Sequence, residues 1–364
     1  MALCGNGGGD MKERVIPAAL QPVLARVHTD AAQHFGIPSL RLVPLEYHER
    51  EFSHVLRLAV HQNGSSEPLT HLFVKVTKSK KINGGAVGLR ARVVRDYETT
   101  CRAYDSMRLY KDLGVVPPVA CYPEHLAIVT EEVTGPTLQR YLARRGAWFP
   151  SRQTMASLTD LLETTGRWIR VFQQSMPLGG TFDLGEVREY IDHRLKRLAE
   201  APNVPFTQQN RMAVLQHIAA LSAAIPPGDL CEVSVHSDLA LGNILVDGTR
   251  VVVLDFGMTK TGCPLVDLTR LFVQMQLLAV KPQIRSVVIR SLQHALIKGY
   301  DSALSVADPL FRLYVLRHRI NHLVTLRFDR NRGLSAAYSR VVCRDHERWL
   351  RRELRTGVGA LAQR

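Results

Sequence analysis

Three oxygen-bearing side chains, Asp238, Asn243 and Asp255, recur between Val233 and Leu268 at a spacing that suits phosphoryl chemistry. The segment breaks into a polar loop from His236 to Asn243, an apolar run Ile244 to Val246, the pair Asp247-Gly248, and a second apolar run Val251 to Leu254 that ends at Asp255. Asp-Gly between two such runs predicts a hairpin. With the turn centred between Asp247 and Gly248, Asn243 falls across from Val252 and Asp255 across from Ala240. All three polar residues then gather at the open end of the hairpin. An amide oxygen and a carboxylate on adjacent strand ends suit Mg²⁺, a hard cation that keeps water and phosphate among its ligands. Asp238 is left over, free to accept a proton from a hydroxyl.

The elements that must position these residues can be read from hydropathy. Residues 1–14 are glycine-rich and polar and read as a disordered lead-in. Val15 to Phe35 has helical periodicity and ends at Gly36. Strand-like runs follow at Leu40 to Leu45, His54 to Val60 and His71 to Thr77, with Asn63-Gly64-Ser65-Ser66 turning between the second and third. The third run, Leu72-Phe73-Val74-Lys75-Val76, sets one lysine among apolar residues. Gly88 to Leu113 has a helical stripe through Val93, Tyr97, Cys101, Tyr104 and Met107. At about 100° per residue, Asp96 and Glu98 flank that stripe symmetrically, so periodicity leaves both as candidates. Leu126 to Gly135 is an extended stretch. Beyond it the chain is mostly helical, with helices expected at Ser157 to Gln174, Glu186 to Ala199 and Asn210 to Ala224. Trp168 reads as core.

The pattern His236-x-Asp238-x-x-x-x-Asn243 followed by Asp255-Phe256-Gly257 resembles the catalytic and metal loops of the protein-kinase-like fold, most closely the aminoglycoside and choline phosphotransferase branch. In that branch a glycine usually stands where this chain has Ser237. The resemblance covers most of residues 40 to 325. It implies an α+β, bilobal architecture: a small antiparallel-sheet N-lobe over residues 15–132, with its N-terminal helix, and a larger, mainly helical C-lobe over 133–364. It implies ATP and Mg²⁺ as cofactors. Asp238 would be the catalytic base, Asn243 and Asp255 the metal ligands, and Lys75 the contact to the phosphates. Asp96 or Glu98 would orient that lysine, and the backbones of Glu131 and Val133 would read adenine. His236 would brace the loop. The phosphate-covering loop of the fold falls at Tyr47 to Ser53, which contains no glycine.

The spacing argues against a protein kinase. A helical pattern begins at once after Asp267, which leaves no long segment for docking a polypeptide, and Ser237 stands where regulated kinases keep an arginine. The remaining rivals are a kinase of aminoglycosides or other small molecules, and a pseudokinase scaffold without turnover, which the missing glycines favour.

Bulk properties bound the setting. The 364 residues are 46% hydrophobic and 22% charged, as expected of a globular enzyme. No basic n-region and apolar h-region open the chain. Six dispersed cysteines without a CxxC pair fit reduced thiols in a cytoplasmic protein without structural metal. The net charge of +14 is concentrated between Phe311 and Arg355, where twelve arginines face Asp329, Asp345, Glu347 and Glu353. Such a patch attracts anions. The expected partners are therefore a nucleotide, a hydroxyl-bearing small-molecule or glycan acceptor, and an anionic membrane contacted peripherally at its inner face, with nucleic acid set aside.

Overall fold

The structure is a computed structural model that describes residues 17, 20–37, 39–78, 85–176, 180–201, 204–328 and 334–361. The expected lead-in over 1–14 lies outside them. The chain forms two compact units: residues 1–101 with 116–133, and residues 102–115 with 134–364.

The first unit is an antiparallel sheet with helices. Strands β1 (Leu40–Glu49), β2 (Ser53–Gln62), β3 (Thr70–Thr77), β5 (Pro118–Tyr122) and β6 (Ala127–Glu131) stand in the order β1-β2-β3-β6-β5. Alternation decides its two faces. Leu56, Leu58, Leu72, Val74, Val76, Ala127 and Val129 form one buried face, and helix α1 (Gln21–Phe35) covers it with Val23, Val27 and Ala31, joined by Leu20 just before the helix. Lys75 belongs to the opposite face. It pairs in register with Val55 and Ile128, and Ile128 with Cys121, so these residues form one row across four strands. Helix α2 (Gly85–Met107) meets this row where the Cys121 thiol points to the carbonyl of Val93.

The loop expected at Tyr47 to Ser53 is mostly strand. Pairing continues through Tyr47–Leu56, His48–Val55 and Glu49–His54 after a bulge between Pro44 and Glu46. The Tyr47 hydroxyl lies 2.7 Å from Nδ1 of His54. Only residues 50–52 connect the strands, closed by a 2.8 Å bond from the Arg50 N–H to the Ser53 carbonyl. The resemblance implies a loop here, but the ladder is made by backbone groups and continues through these polar residues.

The second unit carries a small sheet in which β4 (Leu113–Val115) runs parallel to β9 (Arg250–Val253), itself antiparallel to β8 (Ile244–Asp247), beside a two-stranded pair of β7 (Val233–Val235) and β10 (Lys260–Gly262). Around them stand α3 (Leu138–Arg145), α4 (Arg152–Ser175), α5 (Leu184–Glu200), α6 (Gln208–Ala223), α7 (Leu265–Leu278), α8 (Ser286–Tyr300), α9 (Pro309–Phe328) and α10 (Leu334–Leu361). Trp168 of α4 is 1% exposed and donates to the Gly114 carbonyl at 2.9 Å, so the core reading of this residue holds.

Helices α4 and α8 cross at backbone distance. A methyl group on Gly299 would lie 2.0 Å from the Glu163 carbonyl oxygen, and one on Gly166 would lie 2.2 Å from that of Leu296. Neither obstacle is a side chain that can rotate away. Gly299→Ala is expected to destabilise the fold by about 1–3 kcal/mol or more, seen as a lowered urea midpoint. A wild-type midpoint would show that these helices separate at little cost.

Helix α9 binds α7 and α10 through the half-buried His318 and His322 and the buried His346. Nε2 of His318 lies 2.9 Å from the Val266 carbonyl, and Nδ1 of His322 lies 2.8 Å from Nε2 of His346. Burial, with nearby arginine charge, pushes His318 down to about 3, His322 to about 4 and His346 to about 2, from the ordinary 6.5. All three are neutral in the fold and take up protons on unfolding below about pH 6.5. Their contribution is therefore present above pH 6.5 and lost as the pH falls toward 4, at up to about 1.4 kcal/mol per pH unit for each proton taken up. Unfolding free energies measured between pH 7 and 5 should fall with this slope, and His318→Gln should flatten it by one proton. A pH-independent midpoint over that range would contradict the linkage.

Candidate active site

The loop after β7 is held by one polar stripe of α7. Asp267, 1% exposed, accepts the His236 N–H at 2.7 Å on one carboxylate oxygen and the Ser237 N–H at 2.9 Å on the other. Burial raises its pKa, opposed by the nearby His236 and by these two N–H donors. One turn on, Arg270 donates to the Ser237 carbonyl at 3.0 Å and to Oδ1 of Asp238 at 2.5 Å. A further turn on, Gln274 accepts the Leu241 N–H at 2.8 Å. Asp267, Arg270 and Gln274, at i, i+3 and i+7, thus share the face of α7 that grips the loop. Apolar periodicity located the helix from its other side, through Leu268, Leu271 and Met275. The polar stripe was the overlooked signal.

Asp238 is therefore not uncommitted, as the spacing suggested. One oxygen is engaged by a guanidinium that fixes the carboxylate, while the side chain stays 40% exposed. The second oxygen carries no hydrogen bond among the described residues. Ser237 adopts φ +65° and Asp255 φ +67°. In this left-handed region an L-residue costs roughly 1–2 kcal/mol. Ser237 thus keeps a backbone conformation that glycine would adopt without strain, and the Asp267 clamp on its N–H holds it there.

His236 braces the loop. Its ring is fully buried, Nε2 lies 3.0 Å from the Leu254 carbonyl, and its centroid is 4.9 Å from that of Phe256. A carbonyl only accepts, so the ring proton sits on Nε2. A histidine whose N–H is committed to the backbone does not relay a substrate proton. Phe256 in turn packs against Phe172 and Trp168, which ties the chain beside Asp255 to the helical core.

The hairpin register differs from the expected one. Ile244 pairs with Val253, Leu245 with Val252 and Asp247 with Arg250, which centres the turn between Gly248 and Thr249. Gly248 has φ +61° and takes the first central position, as a type II′ turn requires. Asn243 therefore lies opposite Leu254, whose N–H donates to the Asn243 carbonyl at 2.9 Å. Asp255 follows directly and lies across from Gly242. The corrected register draws Asn243 and Asp255 closer together. The Asn243 side-chain amide donates to the Asp238 carbonyl at 3.0 Å, which leaves its Oδ1 as an acceptor. An amide oxygen beside a carboxylate is a donor set that fits Mg²⁺.

The other predicted residues lie in the first unit. Lys75 stands on the sheet face that meets α2. Asp96 is half-buried and Glu98 exposed. After burial itself, the charge of Asp96 is the largest influence pushing the Cys121 thiol up to about 11, ahead of Glu98. Lys78 donates to Glu49 at 2.7 Å. The Glu131 N–H donates to the Pro117 carbonyl at 2.9 Å. Proline has no N–H to return, so the Glu131 carbonyl lacks the ladder partner it would otherwise have. Val133 ends the first unit two residues later.

The sequence profile of the phosphotransferase enzyme family matches residues 87–303, more than half of the chain. No curated protein matches the sequence. Among solved structures, a choline/ethanolamine kinase family protein from Mesorhizobium loti is 17% identical with a TM-score of 0.52, over 92% of this chain and 98% of that one. A thermostable mutant of aminoglycoside phosphotransferase APH(4)-Ia is 14% identical with a TM-score of 0.51, over 92% of this chain and 100% of that one. A glucosamine kinase is 14% identical with a TM-score of 0.51, over 85% of this chain and 94% of that one. These likenesses show the fold, an antiparallel N-terminal sheet followed by a helical C-terminal part, as the resemblance implied. The chain belongs to the phosphotransferase enzyme family and is an enzyme of the kinase type.

Proposed function

We propose that the protein transfers the γ-phosphoryl group of ATP to a hydroxyl of a non-protein acceptor, a sugar of a lipid-linked or envelope glycan. The observation that carries this reading is the Asp238 carboxylate, fixed through one oxygen by Arg270 and open at the other. In the reaction a bond forms between the acceptor oxygen and the γ-phosphorus while the bond from that phosphorus to the ADP oxygen breaks. The hydroxyl proton passes to Asp238. Asn243 and Asp255 would hold Mg²⁺, which when bound neutralises phosphate charge. Lys75, oriented by Asp96, would pair with the α- and β-phosphates, and the Glu131 carbonyl and Val133 N–H would meet adenine. If Asp96 is the partner, Asp96→Asn lowers turnover far more than Glu98→Gln. The reverse order would assign Glu98.

Two features support an acceptor at an anionic surface. With a charge of +14 the long-range field repels polycations such as aminoglycosides. In addition, the three described acids of α10, Asp345, Glu347 and Glu353, pair with Arg319, Arg327 and Arg312 of α9. Arg340, Arg344, Arg348, Arg351, Arg352 and Arg355 are exposed at three- and four-residue steps along one face of α10. Each is worth about 1 kcal/mol at an anionic membrane. No described helix is long and apolar enough to cross a membrane, so contact through this helix would be peripheral. The test is an ATP-consumption screen over glycan, sugar, amino-alcohol and aminoglycoside acceptors, paired with co-sedimentation on phosphatidylglycerol vesicles at low and high salt. Efficient phosphorylation of a free aminoglycoside, with no vesicle binding, would replace this reading by that of a small-molecule kinase.

A further inference from the structure

Most described arginines packed inside the second unit have a carboxylate partner. Arg211 is paired with Asp192, Arg312 with Glu353, Arg319 with Asp345 and Arg270 with Asp238. Arg194 of α5 and Arg317 of α9 differ. Both are half-buried, and neither has an ion pair with a described carboxylate. Both guanidinium groups instead lie over the same ring, that of Tyr190, at 5.3 Å for Arg194 and 4.8 Å for Arg317. Arg194 also donates to the Tyr190 hydroxyl at 3.3 Å, and that hydroxyl donates to Asn321 at 2.9 Å. Arg317 further stacks on Tyr314 at 5.6 Å. Aromatic faces attract the cations only in part, and two cations on one ring repel each other. An anion between them would relieve that repulsion and take up their planar N–H forks.

A chain of contacts leads from the cluster to the loop after β7. Arg317 adjoins His318, which contacts the first turn of α7 at the Val266 carbonyl. One turn on, Arg270 holds Asp238. The charges of Arg317 and Arg270 both act on His318, after burial, in holding it neutral. Arg317 also acts on Cys263, in the short segment that joins β10 to α7.

We propose that Arg194 and Arg317, gathered on Tyr190, form a subsite for an anionic group of the acceptor, a phosphate or a carboxylate, so that the hydroxyl phosphorylated belongs to an acidic sugar. This rests on the phosphotransfer reading above and narrows its substrate class. A glycan with no charge near the accepting hydroxyl would leave the subsite empty.

The test is calorimetric titration of the full chain, saturated with ADP, with glucose, glucose 6-phosphate and glucuronate as probes. The phosphorylated or the carboxylated sugar, or both, should bind at least tenfold more tightly than glucose, and the two arms identify which anion is preferred. The double variant Arg194→Gln/Arg317→Gln should lose that preference. Arg285→Gln, which removes an exposed cation stacked on Phe149, should keep it. Near-ultraviolet circular dichroism establishes that the double variant is folded, and the single Arg317→Gln, expected to lose most of the preference, replaces it if it is not. Equal or tighter binding of glucose, or a preference that survives in the folded variants, overturns the subsite. ADP release from ATP across the acceptor screen, and its loss in Asp238→Ala, reports separately on phosphotransfer. Transfer to some acceptor without discrimination among the three sugars therefore removes the subsite alone, whereas absence of transfer to every acceptor of the screen removes the broader reading.

Discussion

Replacing Asp238 by alanine is expected to lower turnover by about 10²–10⁴-fold, the range that a positioned general base contributes, while ATP affinity stays within a few-fold of wild type. The two effects separate because the proposed role of Asp238 is toward the acceptor hydroxyl, whereas the nucleotide is assigned to other residues. Arg270 complicates the substitution in a measurable way. Alanine removes the partner of a guanidinium that also holds the Ser237 carbonyl, so the loop loses one restraint. Asp238→Asn keeps an oxygen for Arg270 and should cost almost as much in turnover, since an amide is far less basic than a carboxylate. Steady-state rates combined with nucleotide binding by calorimetry check this. Unchanged nucleotide affinity with no turnover in the wild-type chain would instead identify a binding scaffold, and wild-type rates in either variant would remove Asp238 from the chemistry.

Asp255→Asn and Asn243→Ala are expected to abolish Mg²⁺-dependent turnover, with a loss of several kcal/mol of transition-state stabilisation, or about three orders of magnitude. Asp255→Asn keeps the shape and removes the negative charge. Asparagine also tolerates the left-handed backbone found there, so the fold should survive. Asn243→Ala removes an acceptor and, in addition, the amide that holds the Asp238 carbonyl at 3.0 Å. Its turnover should therefore resist rescue by excess Mg²⁺ more than that of Asp255→Asn does. Titration of activity with Mg²⁺, alongside thermal unfolding of each variant, measures both parts. Identical Mg²⁺ dependence in the wild type and both variants would place the metal elsewhere.

Much of the candidate site is legible in the linear chain because its ingredients are local. Asp238, Asn243 and Asp255 lie within eighteen positions of one another, joined by a hairpin whose Asp-Gly signal is itself local. Lys75 was visible as a lone cation in an apolar strand, and the structure sets it on the face opposite Leu72, Val74 and Val76. The same locality set the limits. The turn residue was displaced by one position because Asp247 and Gly248 can each begin a turn, and only the pairing with β9 shows that Gly248 takes the left-handed place.

What the sequence left undecided depends on contacts between segments far apart in the chain. Asp96 and Glu98 are equivalent about the helix axis, and only burial separates them: Asp96 is half-buried and Glu98 exposed. Asp267, Arg270 and Gln274 became recognisable as the holders of the catalytic loop only when α7 was placed beside it, across roughly thirty residues of sequence. The twelve arginines near the C-terminus looked like one patch. Packing of α9 on α10 divided them, since the half-buried Asp345, Glu347 and Glu353 each take one arginine of α9 as partner, while Arg340, Arg344, Arg348, Arg351, Arg352 and Arg355 stay exposed on α10. Composition fixes how many charges a chain carries. Which of them meet each other, and which meet a ligand, depends on the desolvation that accompanies packing.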